Sequence, residues 1–299
     1  MKILCIGHAA YDITLPVNNY PVENKKIRLK DMKIECGGGP AATAAYLLAL
    51  WKVDSSFSGI VGEDFYGDKI KEEFNKVGVD LEYLETSENC FTTSSYIIAN
   101  KGTGTRTILT SKDPNLKYDK IKKIEGDFNY ILVDGDELEL SSKTLNDYKG
   151  KAISMIDAGK SDEKTIKLAH MVDYLVCSND FARDYTGLNL DYNDLESIKK
   201  VYDKLESEFK NNIIITLEKH GSFTKVDGEY ILVPSLDVKA IDSTGAGDIY
   251  HGSLLYFISQ GYELTLAMKL ANITSALSVT KIGGRYSIPS LEEVLSYVK

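Results

Sequence analysis

Between residues 242 and 248 the chain reads Asp242-Ser243-Thr244-Gly245-Ala246-Gly247-Asp248, then runs into the apolar stretch Ile249 to Ile258. Two glycines flanking an alanine let bare backbone N–H groups approach an anion. A helix start already favours one, because its first amides lack internal partners and its macrodipole is positive there. Asp248 falls in the same turn. A carboxylate beside a bound phosphate is costly unless it has a chemical task, and accepting the proton of a hydroxyl about to attack phosphorus is such a task. A helix start whose Asp only favours the first turn has the same composition, so the rest of the chain must discriminate between the two.

The heptapeptide resembles the D-[ST]-T-G-A-G-D signature of the ribokinase-like carbohydrate kinases, the phosphofructokinase-B type. That resemblance implies Asp248 as catalytic base and the Gly245, Ala246 and Gly247 amides as an anion hole. Other segments follow in the family's order. Gly38-Gly39 resembles the sugar-binding G-G-x-x-x-N, with Thr43 where Asn usually stands; Val61 to Gly67 resembles V-G-x-D-x-x-G; and Ala271-Asn272 precedes Gly283. Carried over, the resemblance implies that the sugar meets Asp12, Gly38, Gly39 and Thr43. ATP would meet Asn179, Thr216, Gly221, Gly245 and Asn272, with Mg²⁺ alongside. Asp242 and Ser243, with the loop Ser278 to Gly284, resemble a monovalent-cation site for K⁺.

Two more positions depart from the pattern. The family's N-x-x-E reads Asn179-Asp180-Phe181-Ala182, and T-L-G reads Thr216-Leu217-Glu218. The segments Gly37 to Ala45, Gly283-Gly284-Arg285 and Ile288-Pro289 look most like kinases of ketohexoses, including sulfofructose kinases. Ribokinase, fructokinase and phosphofructokinase activities stay open. So does a sugar- or nucleotide-binding regulator without turnover, against which the intact base and glycines speak. Lys26, Arg28 and Arg106 are placed to recognise an anionic group on a substrate.

The elements that must hold these residues can be read from periodicity. Ile3 to Ile6 is a buried strand. From Tyr130 onward strands and helices alternate: strands at Tyr130 to Val133, Ala152 to Ile156, Tyr174 to Cys177 and Ile213 to Leu217, helices near Ser141 to Tyr148 and Lys164 to His170. A further helix has Leu195, Ile198, Val201, Tyr202 and Leu205 as its core face. Such β-α units require a parallel sheet with helices on both faces and ligands at the carboxyl ends of its strands. A hairpin, Phe223 to Val226 with Tyr230 to Val233, precedes the signature, and apolar helices at Leu266 to Thr280 and Leu291 to Val298 follow it. Pro40 begins a helix through Trp51, and Lys69 to Val77 forms another, which Asp64 would cap.

Period-2 segments at Ile27 to Ile34, Thr93 to Ala99 and Thr105 to Leu109, the last two joined at Gly102-Thr103-Gly104, do not fit a fully buried sheet. They form a small separate sheet. The expectation is a three-layer α/β/α domain over residues 1–299 with a mostly parallel central sheet. A β lid, from segments near 11–36 and 92–110, is inserted in it. Its apolar residues, Ile97 and Ile108 among them, exceed what one active site covers, which implies a homodimer through the lid.

Composition bounds the alternatives. Lys and Arg total 35 against 44 Asp and Glu, a net charge of −9, and no basic block marks a nucleic-acid partner. Cys5, Cys36, Cys90 and Cys177 are far apart, with no metal-ligand spacing, and read as reduced thiols. No apolar run is long enough for a membrane span, and the first residues read as a core strand rather than a signal peptide, so the expected location is cytoplasmic. Gly159-Lys160-Ser161 resembles the end of a P-loop, but Ser154 stands where its first glycine must be.

Overall fold

The computed structural model of the chain describes residues 1–118 and 120–298. Its first strand, β1 (Lys2–Ile6), explains the main sheet. Ile3 and Cys5 point into one apolar cluster and Leu4 and Ile6 into another, so the strand is buried on both faces, as a central parallel strand must be. The chain leaves β1 for β2 (Ala10–Val17) and β3 (Ile34–Gly38), enters α1 (Pro40–Leu50), and returns as β4 (Asp54–Gly62) parallel to β1. After α2 (Phe65–Val77) and the short β5 (Leu84–Ser87) come β6 (Ser94–Asn100) and β7 (Thr105–Ser111).

The second half alternates β8 (Tyr130–Val133), α3 (Leu138–Asp147), β9 (Ile153–Ala158), α4 (Glu163–Ala169) and β10 (Tyr174–Ser178). It continues through α5 (Asn179–Thr186), α6 (Leu195–Glu208) and β11 (Asn212–Thr216). The hairpin β12 (Ser222–Val226) and β13 (Glu229–Val233) adds two antiparallel strands at the edge. Helices α7 (Ala246–Ser259), α8 (Leu264–Ser278) and α9 (Leu291–Leu295) complete the chain.

The main sheet runs β13-β12-β11-β10-β9-β8-β1-β4-β5, parallel from β11 to β5. Helices α1, α2, α7, α8 and α9 cover one face, and α3 to α6 the other. From β1 the chain builds outward to β4 and β5, then returns to the opposite side of β1 with β8. The strand order thus reverses between β1 and β8, and a ligand crevice belongs at their carboxyl ends.

The second sheet, ordered β3-β2-β6-β7, stands apart from the first. Two contacts set it in place. Asp64 caps α2 through the Gly67 N–H (2.8 Å) and also accepts the Thr92 N–H (2.9 Å), just before β6. Tyr11 of β2 stacks on Tyr66 of α2 with ring centroids 4.9 Å apart. The Val61 to Gly67 segment is therefore the joint between the two sheets.

Two expectations need correction. Ile27 to Ile34 is not a strand: residues 18–33 carry no regular structure and are exposed, and pairing begins only at Ile34, opposite Thr14. The alternation there is that of a surface loop with apolar residues. Leu195 does not face the core either. It is 45% exposed, because as the first residue of α6 it precedes the turn at which Ile198 meets the sheet.

Candidate functional site

The signature forms a tight turn followed by α7. Gly245 caps the helix at φ 74°, a left-handed conformation in which glycine is at ease. Ala246, Gly247 and Asp248 are its first three positions, whose amides lack helical acceptors; that of Ala246 turns back to the Ser243 carbonyl at 3.3 Å. Gly247 is exposed, and a Cβ there would meet nothing within 4 Å, so the space in front of this helix start is open.

The turn is pinned from behind. Asp242 is buried; its Oδ1 accepts the Thr244 N–H (2.9 Å) and hydroxyl (2.6 Å), and its Oδ2 the Gly283 N–H (3.0 Å). Ser275 of α8 donates to the Ala246 carbonyl at 2.8 Å. His251, one turn further along α7, places Nδ1 2.7 Å from the Gly247 carbonyl and 3.1 Å from Asp157 Oδ2, with Nε2 3.2 Å from the Val176 carbonyl. Two adjacent peptides of the turn are thus each held by a side chain. Burial pushes the Asp157 carboxyl up to about 7 and the His251 imidazole down.

Asp248 itself is half-buried. Burial, helped by the Asp157 charge, pushes its carboxyl up to about 6, while His251, Arg106 and Arg285 pull it back. It remains mostly ionised at neutral pH, the state in which it can take a proton. Arg106 reaches across from β7 of the small sheet and donates to Ser243 Oγ at 2.7 Å, so the small sheet touches the signature turn directly.

Asp12 lies on β2, opposite Cys36 of β3 and Ser95 of β6. Burial pushes its carboxyl up to about 6 as well, with Arg285 pulling it down and Asp248 pushing it up, which places the two carboxyls near one another. Gly38 is required here, since a Cβ on it would lie 2.1 Å from Asp12 Oδ2. Gly39 is the N-cap of α1, and its Cβ would strike the His8 carbonyl at 2.2 Å. Thr43 is buried within α1.

The remaining sequence-selected residues sit along the carboxyl ends of β10 and β11. Asn179 is the first residue of α5, which Ser178 caps. Thr216 ends β11, its hydroxyl 3.4 Å from the Cys177 carbonyl. Gly221, at φ 103°, passes so close to the hairpin that a Cβ would lie 2.0 Å from the Val233 carbonyl. Asn272 is buried in α8 and donates to Ser222 Oγ (3.1 Å) and the Val233 carbonyl (2.9 Å), which ties that helix to β12 and β13. Glu218 is exposed and held at φ 52°, in the left-handed region.

Ala182 is buried in α5, with no carboxylate at that position. Among the described residues no group of three or more His, Cys, Asp or Glu gathers to hold a metal ion, and no helix is long and apolar enough to cross a membrane. Gly37, Asp157, His251 and Arg285 had no assigned role from the sequence. Only His251, three positions past Asp248 on the same helix, stood where spacing could have singled it out.

Comparison with known proteins gives this geometry its context. Residues 1–291 match the pfkB family carbohydrate kinases. The chain is 26% identical over 308 residues to a deoxyribokinase from Salmonella typhi, covering 100% of this chain and 99% of that one. It is 24% identical over 309 residues to a ribokinase from Lactococcus lactis, covering 100% and 97%. Among solved structures, a protein from Agrobacterium tumefaciens assigned as a ribokinase superposes with a TM-score of 0.90 at 25% identity, over 99% of this chain and 96% of that one. Arabidopsis thaliana ribokinase complexed with ribose and ATP superposes with a TM-score of 0.82 at 21% identity, over 100% and 98%.

Proposed function

The chain belongs to the pfkB family of carbohydrate kinases and is an ATP-dependent sugar kinase of the ribokinase and fructokinase type, and on that premise we propose that Asp248 is its general base. The acceptor is a hydroxymethyl hydroxyl of a small sugar, a pentose or a ketohexose. The observation that carries the reading is the pairing of an ionisable, half-buried carboxyl at the third helical position with an open, pinned glycine turn directly before it.

In this reading Asp248 accepts the hydroxyl proton as oxygen attacks phosphorus. The free amides at the start of α7, with the helix dipole, stabilise the charge spreading over the transferred phosphoryl. Asp12 accepts hydrogen bonds from sugar hydroxyls, with Gly38 leaving room beside it. The small sheet covers the acceptor and excludes water, which would otherwise take the phosphoryl. Arg106, already seated on Ser243, faces the transferred group. Asn179, Thr216 and Glu218 border the nucleotide, and Gly221 and Asn272 shape its wall from behind through the hairpin.

Magnesium would be held mainly by the ATP phosphates, with Asn179 and Asp180 on the protein side, and would neutralise phosphate charge; among the described residues no group of three or more His, Cys, Asp or Glu gathers to hold it. Potassium would sit by Asp242, Ser243 and the Ser278 to Gly284 loop. Reduced thiols and use of ATP support a cytoplasmic location. β7 is exposed along its whole length, with Ile108 on one face and Leu109 on the other, and this supports a homodimer through the small sheet.

A kinase of an anionic sugar is the second reading, favoured by the basic residues of the lid. Lys26 and Arg28 lie in the exposed segment before β3, while Arg106 is engaged at Ser243. Phosphotransfer from ATP across pentoses, hexoses, ketose phosphates and sulfonated sugars separates the two readings. Asp248→Asn tests the base. Single-turnover phosphotransfer should fall by roughly 10²–10⁴, while ATP binding persists. Near-parental turnover would remove Asp248 from the mechanism, since Asn serves a helix start about as well as Asp. Absence of any turnover by the parent would favour the binding regulator.

A further inference from the structure

Arg285 has no side-chain exposure, yet its charge is poorly matched. Nη1 lies 3.4 Å from Glu73 Oε2, Nη2 donates to the Gly38 carbonyl at 3.2 Å, and Nε has no partner. The guanidinium sits over the rings of Phe74 and Tyr46, at 4.7 and 5.3 Å. A buried cation with one long ion pair contributes little to stability, because its desolvation offsets the pairing. Its placement is more informative than its energy. The Glu73 oxygen that faces it also accepts the Gly37 N–H at 2.8 Å, and a Cβ on Gly37 would fall 2.1 Å from Nη1. Glu73 and Arg285 therefore grip the Gly37 N–H and the Gly38 carbonyl at the end of β3, the strand that lies against Asp12.

The turn carrying Arg285 also forms the back of the signature loop. The neighbouring Gly283 N–H is held by Asp242, and a Cβ on Gly245 would lie 3.5 Å from the Gly284 Cα. On the other side, Cβ atoms on Gly283 and Gly284 would meet Ile34 and Cys36 of β3, at 2.6 and 3.4 Å. Three consecutive residues thus touch the phosphate-side turn and the sugar-side strand together.

We propose that Arg285 is a positioning residue that couples the two substrate sites. When the helix-start turn is occupied, the Gly283 to Arg285 segment is fixed on Asp242 and Gly245, and through the guanidinium it holds the Gly37-Gly38 peptides against Asp12. Sugar affinity then rises when nucleotide is bound, and by reciprocity nucleotide affinity rises when sugar is bound. This rests on the sugar-kinase reading.

The test uses the full chain with AMP-PNP and Mg²⁺ and no sugar, reading hydrogen–deuterium exchange over residues 36–43. In the parent, AMP-PNP should slow exchange there by about fivefold or more, a lower bound typical of site coupling. In Arg285→Met/Glu73→Gln, which removes both buried charges at similar volume, that protection should vanish while AMP-PNP affinity stays within about twofold. If the double variant does not fold, Arg285→Lys replaces it; that variant keeps the charge and loses the fork that reaches both Glu73 and Gly38, and should show less than about half the parental protection. Equal protection in parent and folded variant, or none in a parent that binds AMP-PNP, would overturn the coupling alone. No AMP-PNP binding by the parent would overturn the kinase reading and the coupling with it.

Discussion

Acidification offers a direct measure of the base. With the Asp248 carboxyl at about 6 in the free protein, roughly nine-tenths of molecules carry it ionised at pH 7 and roughly one-tenth at pH 5, so kcat/KM should fall about tenfold or more across that interval. The charged groups facing Asp248 are Asp12 from β2, Asp157 from β9, His251 from its own helix, Arg106 from β7 and Arg285 from the turn after α8. Each gives a sign. Arg106→Met removes a cation that holds the carboxyl down, so the midpoint of the acid limb should rise. Asp157→Asn removes a charge that holds it up, so the midpoint should fall.

Asp12 also lies at about 6, raised by burial and in part by the Asp248 charge, but its expected contact is with the sugar. Asp12→Asn should therefore lower kcat/KM at every pH and keep an acid limb, its midpoint moved slightly down because a carboxylate facing Asp248 is gone. The assay is initial-rate ADP release at saturating ATP and sugar well below KM, from pH 5 to 8 at constant ionic strength. A kcat/KM that stays level between pH 7 and pH 5 would refute the assignment. So would an acid limb that survives when Asp248→Asn is combined with Asp12→Asn.

Other outcomes follow from single contacts. Gly38→Ala drives a methyl into Asp12 and should lower sugar kcat/KM on the order of 10²-fold, with AMP-PNP affinity unchanged by titration. Glu218→Gly relieves a left-handed backbone at φ 52° and should raise stability by about 1 kcal/mol, read in chemical denaturation. Replacing potassium by tetramethylammonium should slow the parent in steady-state assays; equal rates would show that the loop around Asp242 takes no ion. Sedimentation at micromolar concentration should show a dimer, and Ile108→Glu, which charges one face of β7, should shift it towards monomer.

Much of this site was legible because its chemistry depends on local sequence. The signature turn requires glycine at Gly245 for its conformation and at Gly247 for open space, and those needs are met within seven residues. The β-α alternation after Tyr130 was equally readable, since each strand is a short apolar run. β4 was not: its Ser55, Ser56 and Ser58 are buried, with their hydroxyls donating to Ala45, Asp80 and Tyr83, and a strand of serines has no hydrophobic period to detect. Short α5 had the same fault, with only Phe181 and Ala182 buried. The roles of Asp157 and Arg285 were illegible for another reason. Each acts on a residue about a hundred or more positions away, Asp157 on His251 and Arg285 on Gly38, and only the closed fold brings them together.

The central place of β1 also bears on how the chain is made. This strand is the earliest in the sequence, and one of its edges waits for β8 while one of its faces waits for α7 and α8. Pairing with β4 becomes available within the first quarter of the chain, but α8 ends only at Ser278. Roughly 200 further residues at about 5–20 per second leave that apolar surface bare on the ribosome for roughly 10–40 s. During that time α1, which is almost wholly apolar, lacks α7, the helix it packs against most extensively. Adding a holdase chaperone during synthesis in vitro should therefore raise the yield of folded enzyme, and an unchanged yield would show that the bare surface is harmless.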